Sequence, residues 1–381
     1  MAYDYDIICI GMGPAGMAVA AMAASMGLKV CGIERHKIGG ECMNVGCIPS
    51  KSLLKMAQRR HTAARLLEQI EGSEAILAAL PSPFERVRKH VDFIGENKTM
   101  GMFDKVDLVV GQGAARFTGR RQVTVGERTI SGRRIFICTG TRPMLPPISG
   151  LAEADPLTNE SMFSLNAVPP SLVVLGGGAI AVEMAQAFAR LGSAVSIIIR
   201  GERLMRRVVA KEATDVLEQC LESEGITIRR NTEVNCVETD PEGGHRLHLS
   251  NDEVISSSRI LVALGREFNL QGLGLEEAAV RYDAKGGIVV DRYLRTSNKA
   301  ILAVGDINGF AQFSHAAMHQ GMIALMNCML PWPMRRDYRR FVVPWTMFTQ
   351  PQVSHVGPSE EQLRERRIKF GSSAESVGQI R

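Results

Sequence analysis

Two cysteines five residues apart, Cys42 and Cys47, have a spacing in this 381-residue chain that indicates chemistry. In a continuous helix, residues five apart are separated by about 7.5 Å along the axis, which exceeds the ~4.4–6.8 Å Cα separation of a disulfide. We therefore predict a helix break between them, which Asn44 and Gly46 permit. Pro49 suits a first helical turn, so Cys47 is predicted at a helix N-terminus, where a reactive thiolate is favoured.

The cysteine pair has three interpretations: a structural disulfide, half of a zinc site, or a redox-active dithiol. A structural disulfide is disfavoured because we expect a cytoplasmic chain, and a reducing cytosol keeps thiols reduced. Zinc-binding cysteines are usually closer in sequence and need two further ligands, and no second pair lies nearby. We therefore favour the dithiol and predict no metal site. The other cysteines are predicted to be small buried hydrophobic residues: Cys9, Cys31, Cys138, Cys220, Cys236 and Cys328.

The composition is that of a globular protein with two or three domains. Hydrophobic residues make up 45% of the chain and charged residues 22%, and 381 residues exceed one ordinary core. The net charge of +5 has no dominant block, which argues against a nucleic-acid partner. Glycines, Pro14 and Lys29 interrupt the apolar run 11–30, so we predict no membrane span there. A strand begins almost at once, which leaves no room for a secretion signal.

A nucleotide-binding fingerprint follows the first predicted strand, residues 6–10. The turn reads Gly-Met-Gly-Pro-Ala-Gly over 11–16, a helix of small residues follows, and a second strand over 29–33 ends at Glu34. Glycines let the backbone approach a pyrophosphate at the helix N-terminus, and the acid accepts from a ribose hydroxyl. We predict a bound dinucleotide.

A second fingerprint begins after the predicted strand 172–175. Gly-Gly-Gly-Ala-Ile-Ala over 176–181 opens a helix over 182–191, and a strand over 195–199 follows. Alanine is allowed at the third glycine position. Two such units predict two dinucleotides.

The end of the second unit indicates which nicotinamide nucleotide binds. An NAD site would place a carboxylate where Ile199 stands, whereas Arg200 and Arg206 suit the 2′-phosphate of NADP. The competing interpretation is a surface arginine cluster, because Arg203 and Arg207 lie in the same turn. We favour NADP(H).

The stretch 39–54 resembles the active-site signature of the class I pyridine nucleotide-disulfide oxidoreductases, which include dihydrolipoyl dehydrogenase, glutathione reductase and mercuric reductase. The resemblance implies FAD at the first fingerprint. It also implies that Cys42 exchanges with substrate, that Cys47 lies against the flavin, and that Lys51 beside it pairs with Glu183. Arg200 and Arg206 match the two arginines that glutathione reductase uses for NADPH.

Further segments are similar to family motifs. Residues 138–143 resemble the turn at which the chain leaves the FAD domain. Residues 296–306 resemble the second FAD motif, in which Asp306 binds the ribityl chain. Ser314 is predicted to cap a helix over 316–330, and His315 to be a packing residue rather than a base. Ala179 stands where some relatives carry a larger side chain over the nicotinamide. Together, the implied cofactor-binding residues are Gly11, Gly13, Pro14, Ala15, Gly16, Glu34, Arg35, Gly40, Glu41, Lys51, Thr139, Gly140, Gly176, Gly178, Ala179, Ile180, Glu183, Arg200, Arg206, Gly265, Gly305, Asp306, Ser314, His315 and Ala316.

Residues 344–357 resemble the start of the family's dimerisation domain, and a short helix is predicted over 359–367. Full-length relatives continue to a His-Pro-Thr-x-x-Glu motif, which the sequence up to Arg381 does not contain. We expect an α/β fold with two Rossmann-like domains and a truncated α+β dimerisation domain, and a weakened homodimer. The predicted domains are 1–148 and 271–338 for FAD, 149–270 for NAD(P), and 339–381 for the interface.

The resemblance implies hydride transfer from NADPH to FAD, then electron transfer to the Cys42–Cys47 disulfide and to a small-molecule disulfide. One alternative is an NAD-dependent dihydrolipoyl dehydrogenase, disfavoured by Ile199 and Arg200. Another is a truncated flavin-binding protein without disulfide turnover. Mercuric ion is a third acceptor, although a mercuric reductase is expected to carry a further C-terminal cysteine pair.

Overall fold

The computed structural model describes residues 3–67, 81–206, 209–240 and 243–373. Its helices are α1 Pro14–Ser25, α2 Gly40–Asn44, α3 Cys47–Leu67, α4 Pro83–Ile94, α5 Ala179–Leu191, α6 Lys211–Ser223, α7 Ser314–Met329 and α8 Glu360–Glu365. Its strands are β1 Tyr5–Ile10, β2 Val30–Glu34, β3 Val106–Val110, β4 Arg116–Gly119, β5 Gln122–Val125, β6 Arg128–Ile137, β7 Thr141–Pro143, β8 Ser171–Leu175, β9 Ala194–Ile198, β10 Thr227–Arg229, β11 Val234–Thr239, β12 His245–Leu249, β13 Val254–Ser257, β14 Arg259–Val262, β15 Arg266–Phe268, β16 Tyr282–Asp283, β17 Gly287–Ile288, β18 Ile301–Ala303, β19 Trp345–Met347 and β20 Val353–His355.

The first sheet has the order β3-β2-β1-β6-β5-β4, and β18 also pairs with β6. Strands β3, β2, β1, β6 and β18 pair in parallel, and β5 and β4 add an antiparallel edge. A continuous apolar run such as Ile7–Ile10 suits this position because helices and side chains cover both faces of a parallel sheet. Helices α1 and α7 pack against one another over one face, where Gly321 brings the backbones close.

The second sheet has the all-parallel order β10-β9-β8-β14, and β11, β12 and β13 form a separate antiparallel sheet. Helix α5 packs against strands β8 and β9 of the parallel sheet. It is largely buried because its sequence is apolar on most sides. These two parallel sheets confirm the predicted α/β class with Rossmann-like units.

The two glycine turns use the same backbone geometry. Gly11 has φ +94°, and a Cβ there would lie 2.6 Å from the carbonyl oxygen of Cys138. Gly176 has φ +121°, and its Cβ would lie 2.4 Å from the carbonyl oxygen of Ala263. Each first glycine is therefore required both by its backbone angle and by a strand end that leaves no room for a side chain.

Strands β7 and β15 pair antiparallel, and they lie on the two segments that connect the first sheet with the second. Further along, the β19–β20 hairpin is held against α5 and α6. The Gln186 side chain accepts from Gln350 N and donates to Gln350 O, both at 2.8 Å. Arg190 forms a buried ion pair with Glu224 at 2.6 Å.

Several predicted elements differ in detail. Ser314 is the first residue of α7 and not its cap, because Phe313 is the last extended residue before the helix and occupies the N-cap position. Ser359 caps α8 and forms a capping box with Gln362. Cys9, Cys31 and Cys138 are buried as predicted, but Cys220, Cys236 and Cys328 are half-buried.

Part of the helical region predicted between residues 50 and 94 lies outside the described residues. The predicted domain boundaries remain a prediction. No helix among the described residues is long and apolar enough to cross a membrane.

Candidate functional site

The cysteine pair spans a break between two helices. Cys42 lies in α2, α3 begins at Cys47, and Val45 and Gly46 lie between the helices. A Cβ at Gly46 would lie 2.8 Å from the carbonyl oxygen of Glu41, so the break requires glycine at this point. The break and the helix start therefore occur where the sequence predicts them, and both cysteines are free thiols.

The pKa values of the two thiols are shifted in opposite directions. A hydrogen bond from the Cys42 thiol lowers the pKa of Cys47 to about 6, and Ser314 and the Lys51 charge act in the same direction. The same hydrogen bond, together with burial, raises the pKa of Cys42. The Ser314 hydroxyl lies 3.2 Å from Cys47 Sγ and donates to it when the sulfur is a thiolate. One proton is therefore held on Cys42 and one negative charge on Cys47.

Lys51 and Glu183 form an ion pair across the two nucleotide-binding units. Lys51 Nζ lies 2.8 Å from Glu183 Oε2 and 3.2 Å from Oε1. Glu183 is 5% exposed, and its Oε1 also accepts from the backbone N–H of Phe348 at 2.8 Å. Lys51 Nζ lies 4.8 Å from the centre of the Phe348 ring. Lys51 stands one helical turn after Cys47, so the pair places a cation beside the thiols.

Arg266 links two half-buried carboxyl groups near the cysteines, those of Glu41 and Asp306. Its Nε donates to Thr141 Oγ1 at 2.7 Å, and its Nη2 donates to Glu41. Thr141 Oγ1 in turn donates to Asp306 at 3.3 Å. Burial raises the pKa of both Glu41 and Asp306, and the nearby Arg266 charge opposes that effect.

A cavity of about 860 Å³ runs from the first glycine turn to the cysteine pair. It is lined by backbone at Gly11, Gly13 and Gly40, and a Cβ on Gly40 would lie 2.8 Å from the Gly13 Cα. Glu34 stands at its edge, held by N–H groups of Met12 and His36 at 2.9 and 3.0 Å. The carboxylate retains lone pairs for ribose hydroxyls.

The cavity also fits a dinucleotide through its unused polar atoms. Glu41 Oε1 and Asn269 Oδ1 are buried without a hydrogen-bond partner among the described residues. Such atoms are rare unless a ligand or water satisfies them. Together with the glycine backbone and Glu34, they match the pyrophosphate, ribose and ribityl groups of FAD.

Most predicted site residues come together at two cavities. The larger group lines the cavity described above: Gly11, Gly13, Pro14, Ala15, Glu34, Arg35, Gly40, Glu41, Lys51, Thr139, Gly140, Ile180, Glu183, Gly305, Asp306 and Ser314. An adjoining cavity of about 1430 Å³ is lined by Gly178, Ala179, Gly265 and His315, and it shares Lys51, Ile180 and Glu183. Gly16, Gly176, Arg200, Arg206 and Ala316 line neither cavity.

Arg266, Thr141, Asn159 and Phe348 are site residues that the sequence did not single out. Arg266 follows the predicted Gly265, which was a usable signal, whereas the backbone contact of Phe348 has no sequence signature. His315 is exposed, and the centre of its ring lies 5.6 Å from the centre of the Phe313 ring.

No group of three or more His, Cys, Asp or Glu side chains in the described ranges is arranged to hold a metal ion.

Comparisons with known proteins identify the family of this chain. The family model described as pyridine nucleotide-disulphide oxidoreductase matches residues 5–321. A mercuric reductase of Bacillus cereus is 33% identical over 97% of this chain and 59% of its own length. A dihydrolipoyl dehydrogenase of Thermus scotoductus is 33% identical, over 96% of this chain and 79% of its own.

A solved structure has a similar fold. The HOCl-induced flavoprotein disulfide reductase RclA from Escherichia coli is 30% identical and superimposes with a TM-score of 0.83, covering 95% of this chain and 79% of RclA. The chain thus spans between about three fifths and four fifths of the length of these relatives. The protein belongs to the pyridine nucleotide-disulphide oxidoreductase family.

Proposed function

We propose that this chain is an NADPH-dependent flavoprotein that reduces a small disulfide through Cys42 and Cys47. The observation that carries the proposal is the thiol pair itself, with its proton on Cys42 and its charge on Cys47, at the end of a dinucleotide-sized cavity. The Lys51–Glu183 ion pair beside it supports a role in redox chemistry, because the cation favours an anionic neighbour.

The two thiols can exchange with a disulfide without an outside base. Cys42 Sγ attacks one sulfur of the acceptor while its proton passes along the hydrogen bond to the Cys47 thiolate, which acts as the base. The acceptor S–S bond breaks, and the departing thiolate takes the proton from Cys47. Cys47 then attacks Cys42 Sγ, closes the internal disulfide and releases the second half of the acceptor as a thiolate.

Residues of the first unit would hold FAD, which when bound transfers an electron pair from the nicotinamide nucleotide to the internal disulfide. Backbone at Gly11 and Gly13 would receive the pyrophosphate, Glu34 a ribose, and Asp306 the ribityl chain. The proposed domains are FAD-binding over 1–148 and 271–338, NAD(P)-binding over 149–270, and interface-forming over 339–381.

The proposed nucleotide is NADPH rather than NADH. Ile199 is buried and apolar where an NAD site would offer a carboxylate, and Arg200 and Arg206 are exposed on the turn that follows it. Dihydrolipoyl dehydrogenase activity with NAD is the runner-up, since one relative carries that name.

The acceptor is tested by turnover with NADPH and, in separate reactions, glutathione disulfide, lipoamide and mercuric ion. We expect FAD to be released by acid, and a disulfide to support turnover that Cys42→Ser and Cys47→Ser each abolish. Turnover that mercuric ion supports and neither disulfide supports would refute the disulfide acceptor. Folded protein that contains FMN or no flavin would refute the cofactor assignment.

The nucleotide is tested with the double variant Arg200→Ala/Arg206→Ala. We expect kcat/KM for NADPH to fall at least about tenfold, which is about 1.4 kcal/mol, while NADH is nearly unchanged. Arg133→Ala, an exposed arginine on β6, is the control and should alter neither. A wild-type preference for NADH would refute the arginine argument.

A further inference from the structure

In the turn 200–206 that follows β9, one arginine directs its donors to groups of the protein itself. Arg203 Nη1 donates to Val209 O at 3.0 Å and to Thr214 Oγ1 at 3.1 Å. Its Nη2 donates to Arg206 O at 3.0 Å. Thr214 is fully buried in α6, so the guanidinium joins the turn to the protein interior.

The same turn is fixed at two backbone N–H groups. Leu204 N donates to Glu218 Oε1 at 2.6 Å, and Arg230 holds the other oxygen of Glu218 at 2.6 Å. Met205 N donates to Gly177 O at 2.9 Å.

Gly177, the middle glycine of the second fingerprint, is also in close contact with this turn. A Cβ on Gly177 would lie 2.8 Å from Ile199 Cγ2 and 3.2 Å from Leu204 Cδ2. The turn therefore packs directly on the glycine loop, and its shape is set relative to the nucleotide-binding backbone.

The neighbouring arginines differ from Arg203. Arg200 is exposed and makes no hydrogen bond within the described ranges. The Arg206 side chain is 63% exposed, and its Nε lies 3.8 Å from Glu202 Oε1, which is too long for a hydrogen bond. These two guanidinium groups have free donors for an anion, whereas three donor contacts of Arg203 are already used inside the protein.

We infer that Arg203 is a positioning residue for nucleotide selectivity: it braces the 200–206 turn so that Arg200 and Arg206 present their donors to the 2′-phosphate of NADPH, and it does not bind the phosphate itself. The inference rests on the proposed use of NADPH. A loop that is already in its binding shape loses less freedom when the ligand arrives, so the brace contributes to affinity without touching the ligand.

The experiment measures dissociation constants of 2′,5′-ADP and 5′-AMP by calorimetry on the flavin-loaded protein. The variants are Arg203→Ala, Thr214→Val and their combination, with Arg206→Ala as a direct-contact comparison. The ratio of the two constants isolates the 2′-phosphate, because general damage to the site weakens both nucleotides.

We expect the wild-type protein to bind 2′,5′-ADP at least tenfold more tightly than 5′-AMP. Arg203→Ala should remove most of that ratio and change the 5′-AMP constant less than threefold. Thr214→Val should reduce the ratio in part, and it should add nothing further in the Arg203→Ala background, because both changes remove the same contact.

Three results overturn the inference. An unchanged ratio in Arg203→Ala shows that the brace is not needed. A second result is that Arg203→Ala loses the ratio, Thr214→Val keeps it, and the effects of the two changes add in the combined variant. That result shows that Arg203 contacts the phosphate. A wild-type protein without preference for 2′,5′-ADP refutes the proposed use of NADPH and the inference with it, a result distinct from the first two.

Discussion

One shared proton defines the chemistry of the site at the scale of single residues. Cys42 donates to Cys47, so the lower pKa of one thiol and the higher pKa of the other have the same cause. Ser314 adds a second donor at 3.2 Å, and it reaches Cys47 because α7 begins at that residue. The reactive anion is therefore stabilised by parts of the chain that are 267 residues apart.

We expect the Cys47 thiolate to titrate near pH 6 in the reduced protein, against about 8.5 for a free cysteine. Because the pKa is lowered, the thiolate should persist above pH 6 and be lost below it. Absorbance of the thiolate near 240 nm as a function of pH, corrected with Cys47→Ser, measures the midpoint. Ser314→Ala should move it upward, and a midpoint above pH 8 in the wild-type protein would contradict the assignment.

The Lys51–Glu183 ion pair gives a second prediction. Glu183→Gln keeps an acceptor for the Phe348 N–H but removes the buried negative charge. Since Lys51 is 39% exposed and water screens it, we expect a loss of only about 1–2 kcal/mol in the free energy of unfolding. Urea denaturation measures it. Glu360→Gln, in the exposed Glu360–Arg364 pair, is the control and should change it by less than about 0.5 kcal/mol.

At the scale of elements, the glycine turns decide where nucleotides can approach the backbone. Gly11 combines a positive φ with a close carbonyl, whereas Gly27 after α1 has φ +81° and no atom within 4 Å of its Cβ position. A substitution at Gly27 therefore meets only the strain of the positive φ, whereas one at Gly11 also meets a steric clash.

We expect Gly11→Ala to yield protein with little bound flavin and to lower the free energy of unfolding by about 1–3 kcal/mol more than Gly27→Ala. The control carries only the cost of the left-handed angle, about 1–2 kcal/mol. The flavin-to-protein absorbance ratio and urea denaturation measure both effects. Full flavin content in Gly11→Ala would show that the cavity is not the FAD site.

Sequence reasoning succeeded where local rules determine the structure. The helix break at Gly46 follows from the disulfide spacing, and both parallel strand–turn–helix units follow from their glycines and apolar runs. It failed where contacts join distant segments. The Glu41–Arg266 pair joins residues 225 positions apart, and the Phe348 N–H has no side-chain signal. The start of α7 was misplaced because a serine before a helix usually caps it.

At the scale of the whole molecule, one segment near the chain's C-terminal part is held to the second unit by buried polar contacts. Gln186 satisfies both backbone groups of Gln350 and also donates to Glu224 at 3.1 Å. Glu183, one turn earlier on α5, receives Phe348. The hairpin thus reaches the redox site through α5.

We expect Gln186→Ala to increase amide hydrogen exchange over residues 345–355 and to cost about 2–4 kcal/mol in unfolding free energy, because three hydrogen bonds are lost. Gln362→Ala removes the capping box of α8 and is the control, with exchange increased only near 359–365. Equal exchange over 345–355 in wild type and Gln186→Ala would show that the hairpin is held by other contacts.

The matching glycine turns have a consequence for how each unit can vary. From Gly11 to Glu34 and from Gly176 to Ile199 the chain advances by 23 residues in both units, and each first glycine abuts the carbonyl oxygen at a strand end. The equal spacing places the residue at the end of the second strand at the same distance along the chain from the glycine turn in both units. The two units differ at that residue, which is Glu34 in the first and Ile199 in the second. The side chain at this one position can therefore be exchanged without changing the turn that approaches a pyrophosphate.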